Sequence, residues 1–325
     1  MLDTFINCLI RVLISLAFII PGFMLCKYKK AFASHLSTLS TILVYVCGPC
    51  MIIYAFYSAA LAADEYNISK LEMGLNMLYF GLFTFVLQAI FVLILYLILR
   101  KKYEDAKYRL LTCASVLGNV GFFGLPLVQA LVPNNPIVAC YSSVYTMSMN
   151  ILAFTVAVFC LTKDKKYISL KAAFINPTGI AIVIAIPIFI FASNLSFGRF
   201  GSEFWGSINL LGKMTTPMCM LILGIRLAVT DLKKLFIRPF VYVISFLKMI
   251  IFPMFSFFLV YFLPFFDNTF KTAILVLSAV PCASVILNLA EMHHSEEEIA
   301  ANCVLVSTLL CFITIPVMTL LINIL

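Results

Sequence analysis

Gly118-Asn119-Val120-Gly121-Phe122-Phe123-Gly124-Leu125-Pro126 lies inside an apolar run from about Leu110 to Val132, long enough to cross a bilayer. Three glycines, an asparagine and a proline in one such span lower helix propensity together, and predict a helix broken near mid-membrane. Backbone N–H groups opened at the start of the second half-helix, with Pro126 near its N1 position, would form a partly positive end suited to an anion. The same residues also read as a kinked packing helix whose glycines let neighbours approach. The stretch alone does not choose between these readings.

The chain around it is that of an integral membrane protein. Of its 325 residues 63% are hydrophobic and 11% charged, and the mean hydropathy is +1.10, which excludes a water-soluble domain of this length. The net charge of +8 sits in short basic clusters between apolar runs, so membrane topology, and not nucleic acid, accounts for it. Eleven cysteines are scattered, mostly within apolar runs, and read as small core residues with no disulfide framework. Residues 1–10 contain Asp3 and no Lys or Arg, so the first apolar run is expected to remain as a span and not to be cleaved.

At about 20 apolar residues per helix, ten spans are predicted, near 4–26, 37–62, 73–99, 110–132, 137–162, 174–193, 204–228, 239–262, 269–290 and 298–324. The connections after the first, third, fifth and seventh spans hold 16 of the 22 Lys and Arg residues. By the positive-inside rule those connections face the cytoplasm, and both termini are non-cytoplasmic. The acidic connection Glu291 to Glu298 dissents, but acidic residues weigh little in that rule.

Pro21, Pro49 and Pro126 have counterparts in Pro187, Pro217 and Pro281, at offsets of 166, 168 and 155 residues. This spacing predicts two five-helix halves, residues 1–162 and 163–325, the second inserted upside down because five is odd. An inverted repeat with a broken helix in each half is the pattern of a secondary transporter. The counterpart of the opening stretch is Ser278-Ala279-Val280-Pro281-Cys282-Ala283-Ser284, which has no glycine. If the two broken helices, the fourth and ninth, cross near the midplane, their second-half N-termini point into the crossing. The residues placed there are Asn119, Gly121, Gly124, Pro126, Pro281, Cys282, Ser284 and Asn288, with the amides and hydroxyl offered to a carboxylate. Each polar residue taken alone is more often an interhelical hydrogen bond than a ligand contact, and together at a repeated break they favour a site.

Arg11, Lys213 and Lys248 lie inside apolar runs, where a charge costs about 2.5–3.5 kcal/mol at a helix centre. Arg11 and Lys213 are candidate charge partners for an anion, or else snorkel to an interface. His293 and His294, beside Glu291, read as a solvated loop or a proton-coupling group. Cys47-Gly48-Pro49-Cys50 spells the active site of thioredoxin-like oxidoreductases, a chemistry that needs an exposed helix N-terminus after a strand. Here it lies within an apolar span, and the corresponding place in the other half reads Thr215-Thr216-Pro217-Met218. No Walker loop, His-Glu-x-x-His or Gly-x-Ser-x-Gly occurs. Asn67-Ile68-Ser69 and Asn194-Leu195-Ser196 are glycosylation sequons on the non-cytoplasmic side.

The run Gly118 to Leu127 resembles the fourth-helix motif of the auxin efflux carrier family, which includes plant PIN carriers and bacterial malate or malonate permease-like proteins. Ala279-Val280-Pro281, Leu289-Ala290-Glu291, Ser307-Thr308, Ile313-Thr314-Ile315-Pro316, Asn176-Pro177 and Leu223-Gly224 are similar to that family as well. The resemblance covers essentially the whole chain. It implies a scaffold from helices 1, 2, 6 and 7, a transport domain from helices 3–5 and 8–10 that moves like an elevator, and a homodimer. It also implies that Asn119 takes the place of the family's substrate-binding asparagine, with Pro126 and Pro281 as crossover prolines. The broader fold resembles bile acid sodium symporters. The long loop of the plant branch is missing, only about Lys163 to Lys171 standing there, so the short form looks bacterial and belongs in the inner cell membrane.

The expectation is an all-α integral membrane protein that is not an enzyme, and that carries a small organic anion, a mono- or dicarboxylate, by alternating access. No cofactor or metal is expected, and a coupling ion, sodium or proton, stays open. The alternatives are a coupled symporter of a larger amphipathic anion, a membrane thiol-disulfide oxidoreductase using Cys47 and Cys50, and a non-transporting sensor.

Overall fold

In a bilayer every backbone polar group must be satisfied within the protein, so a chain this apolar folds as helices. The computed structural model describes residues 2–65, 68–132, 135, 137–195, 198–231, 237–264 and 266–325. In chain order its helices are α1 (Phe5–Lys27), α2 (His35–Glu65), α3 (Lys70–Lys102), α4 (Ala106–Ala114), α5 (Leu125–Leu131) and α6 (Ile137–Thr162). There follow α7 (Lys165–Leu195), α8 (Gly198–Val229), α9 (Pro239–Tyr261), α10 (Asn268–Ser278), α11 (Ser284–Met292) and α12 (Glu297–Ile324). Eight of these, α1, α2, α3, α6, α7, α8, α9 and α12, are long and apolar enough to cross a membrane. At the predicted fourth and ninth spans the chain is interrupted instead, between α4 and α5 and between α10 and α11. Asn67 and Ser196 of the two sequons, and Lys233 and Lys234 of the last basic cluster, lie outside the described residues.

Proline explains several local departures from the α-helix. A proline ring clashes with the carbonyl four residues earlier, and a π-helical turn relieves the clash by shifting that carbonyl to a wider bond. Such turns occur at Leu43–Cys47, Val120–Gly124 and Leu247–Ile251. Each ends two residues before a proline: Pro49, Pro126 and Pro253. A fourth, Ala153–Ala157 in α6, has no proline near it.

The helices pack in two sets. α1 lies against α8, and α2 against α7 and α8; α3 lies against α6, α9 against α10 and α12, and α11 against α12. The sets touch where α1 meets α12 and α5, where α2 meets α3 and α6, and where α7 meets α6. Apolar side chains that face outward, such as Leu71, Ile98, Val183 and Phe200, form the surface expected to meet lipid.

Candidate functional site

The two interruptions meet. α4 ends at Ala114 and α10 at Ser278, and the residues that follow pair backbone to backbone, with Gly118 and Cys282 in an antiparallel bridge. The Asn119 N–H donates to the Pro281 carbonyl at 2.8 Å, and the Ala283 N–H to the Leu117 carbonyl at 3.0 Å. Two more bonds close the second break: the Cys282 N–H donates to Ser307 Oγ at 3.0 Å, and the Cys282 thiol to the Ala114 carbonyl at 3.4 Å. Polar backbone freed by breaking both helices is thus largely satisfied between them, as a membrane interior requires.

Beyond the breaks the second half-helices begin. The Asn119 carbonyl accepts from the N–H groups of Phe123 and Gly124. The N–H groups of Gly121 and Phe122, and those of Ser284 and Val285 at the start of α11, donate to no acceptor among the described residues. Two helix starts with open N–H donors therefore lie one on each side of the paired segments, and each carries the positive end of a helix dipole. Pro126 occupies the first turn of α5, where its missing N–H costs nothing.

The side chains divide. Asn119 is 5% exposed, and its Nδ2 reaches Cys219 Sγ on α8 at 3.6 Å. Thr216 of α8 donates to the Phe122 carbonyl at 2.8 Å, and Ser142 of α6 to the Val120 carbonyl at 3.0 Å. Gly121 and Gly124 are buried, Pro281 and Cys282 are buried, Ser284 is half-buried and Asn288 is exposed one turn further on. Gly124 has a packing duty: a Cβ there would lie 2.9 Å from Leu277 Cδ2 and 3.2 Å from Val280 Cγ1.

The charged residues expected near an anion are elsewhere. Arg11 and Lys213 are both exposed, on α1 and at the turn within α8, so neither is brought to the paired breaks. The cation that is there is Lys248, fully buried in the π-helical turn of α9. Its Nζ donates to the Ser278 carbonyl at 2.6 Å, and lies 4.8 Å from the centre of the Phe252 ring. A lysine amino group at the C-terminal end of α10 meets the negative end of that helix's dipole, which offsets part of the cost of burying it. It also explains Gly118, where a Cβ would stand 2.9 Å from Lys248 Nζ and 2.8 Å from Val280 Cγ2. The sequence marked Lys248 as an intramembrane charge but gave no reason to place it beside residue 118. Ser115, which follows α4 into the break, was also missed; its Oγ is buried without a hydrogen-bond partner among the described residues, as are Gln88 Oε1, Tyr145 Oη and Asn302 Nδ2.

Cys47 and Cys50 lie within α2, with no strand before them among the described residues. Cys47 is buried, and Gly48 between them packs toward the Phe122 ring of the first break, an ideal Cβ lying 3.5 Å from it. The motif sits inside a helix and packs against the site, without the strand-to-helix turn that a dithiol active site uses. His293 makes an edge contact with Tyr167 at 4.9 Å and His294 bonds Glu297, both outside the paired breaks.

A search of curated proteins found no match. The family described as membrane transport protein matches residues 5–168 and 162–319, nearly the entire chain. A multi-pass helical protein with its broken helices paired agrees with that match, and the chain belongs to the membrane transport protein family, the family of the auxin efflux carriers.

Proposed function

We propose that this protein carries a small organic anion, a mono- or dicarboxylate, across the cell membrane by elevator-type alternating access. The observation that carries the reading is the pairing of two helix breaks beside the buried Lys248 amino group, with open N–H donors at both half-helix starts. Such an arrangement suits a carboxylate: four N–H donors and two dipole ends are fixed in place, so little reorganisation accompanies binding. Asn119 adds an amide next to the first helix start.

In this reading the chain has ten spans in two inverted five-helix repeats, and the two broken spans cross at the site. α1, α2, α7 and α8 form the scaffold, and α3–α6 with α9–α12 form the moving part, in keeping with the two packing sets. The protein works as a homodimer with both termini on the non-cytoplasmic side. Lys248 places a basic nitrogen beside the paired breaks, and the coupling ion, sodium or proton, is read from the uptake assay. The test is uptake by purified protein in liposomes of a panel of labelled carboxylates, with and without sodium and a pH gradient. Flux of at least one carboxylate supports the reading. No flux of any, from protein that remains folded, contradicts it.

A further inference from the structure

Seven residues along α11 from its open start, the Glu291 carboxylate meets the Arg226 guanidinium of α8, with Oε1 to Nη1 at 3.1 Å. Ser284, Asn288 and Glu291 follow one another at helical spacings of four and three, so they share one face. That face begins at the paired breaks and ends about 10 Å away at the ion pair. Ser284 is half-buried, and Asn288 and Glu291 are exposed.

The pair joins elements that pack apart. α8 lies on α1 and α2, whereas α11 lies on α12 and α6. Most other ion pairs among the described residues stay within one packing set: Glu104 with Lys163 links α6 to the connection after α3, and Glu298 with Arg238 links α12 to the start of α9. Asp64 and Lys70 do bridge α2 and α3, but these are consecutive in the chain and separated by a short connection. Arg226 and Glu291 are 65 positions apart, and no loop obliges them to meet. The Arg226 side chain is 18% exposed against 47% for Glu291, and this is its one side-chain hydrogen bond among the described residues. Breaking it would leave a half-enclosed guanidinium whose remaining donors suit a passing anion.

We propose that Arg226 and Glu291 form an ionic gate across the Ser284–Asn288 face, closed in this conformation and opened when α11 moves relative to α8. The inference rests on the carrier reading, because it takes that face to be a route to the paired breaks. Both residues stand on the side expected to be cytoplasmic, so the gate controls access from that side alone.

The test reads access and not transport. Cys26 and Cys50, the two cysteines that are not buried, are replaced by serine, and Ser284→Cys is introduced in the full chain. Labelling by a membrane-impermeant maleimide is then timed in right-side-out and inside-out vesicles, against the parent without Ser284→Cys. With the pair intact, labelling from the cytoplasmic side is slow. Glu291→Gln and Arg226→Gln each raise it, by up to about fivefold, the factor that a partly exposed ion pair supplies, and the exchange Arg226→Glu with Glu291→Arg restores the slow rate. Labelling from the other side does not change. The proposal is overturned if both single variants label at the parent pair's rate, if the rise is equal from the two sides, or if residue 284 is labelled in no variant. Carboxylate uptake is measured separately on the same vesicles: its failure counts against the carrier reading, while the labelling pattern decides the gate.

Discussion

Residues 115–119 and 279–283 interrupt two helices at one place, and they are built from opposite materials. The first break and the turn after it carry glycine at 118, 121 and 124, and the second has none. The contacts explain why. One side chain of the second break, Val280, crowds two glycines of the first: its methyl groups lie 2.8 Å from where a Cβ on Gly118 would be and 3.2 Å from where one on Gly124 would be. Lys248 takes the remaining space over Gly118. The missing glycines of the second break are therefore the complement of those in the first. Two segments that pair backbone to backbone fit closely here because one is the notch and the other the knob.

Filling the notch should do the most damage. Gly118→Val would press on Val280 and Lys248 at once, and overpacking of a tight interior costs about 1–3 kcal/mol or more. The expected result is loss of monodisperse folded protein on size-exclusion chromatography, with Gly118→Ala folded but less heat-stable. Trimming the knob is milder. Val280→Ala should lower stability by about 1–2 kcal/mol through the cavity left behind, read as a drop in melting temperature. The double change Gly118→Ala with Val280→Ala should cost less than the two single costs added, because the new methyl enters the vacated space. Strict additivity would break the knob-and-notch account.

Next in size is the charge between the breaks. Lys248→Met keeps the length and apolar stem, so stability should change little, while affinity for a transported carboxylate should fall about tenfold, the loss of one charge-assisted hydrogen bond. Unchanged affinity would make Lys248 a helix cap and nothing more. The smallest effect lies far from both breaks. A hydrogen bond from Lys163 holds the Glu104 carboxyl below the usual carboxylate range. Its stabilisation is complete above the unfolded value, about 4.3, and fades as pH falls through the lowered folded value. Glu104 is fully exposed, so Glu104→Gln should leave the melting temperature at pH 7 almost unmoved, and any difference should vanish in acid.

Much of this site was legible in the sequence because its signals are local. Glycine and proline at Gly118 to Pro126 break a helix wherever it stands, and Pro281 at its offset pointed to the partner. The knob and notch were not legible, because Val280 and Gly118 are far apart in the chain and their fit is a matter of shape. Arg11 and Lys213 illustrate a different limit. The helices that carry them are amphipathic, with Asp3, Asn7, Arg11 and Ser15 at intervals of four in the first, so the period puts each charge on a polar face without saying whether that face meets a cavity or the outside. Lys248 met the same difficulty, and only its contact with the Ser278 carbonyl reveals its direction. The grouping into a scaffold and a moving part came from the resemblance alone, since composition and spacing do not supply it.

The central claim is that the paired breaks hold the substrate, and Asn119→Ala tests it most directly. The variant removes one amide and leaves the backbone bond from Asn119 to Pro281, so the protein should remain folded in the membrane. Binding of a transported carboxylate, measured with liposome uptake as a function of concentration, is predicted to weaken by about fivefold to tenfold, one hydrogen bond's worth. Wild-type affinity and wild-type uptake in a folded Asn119→Ala protein would contradict the account.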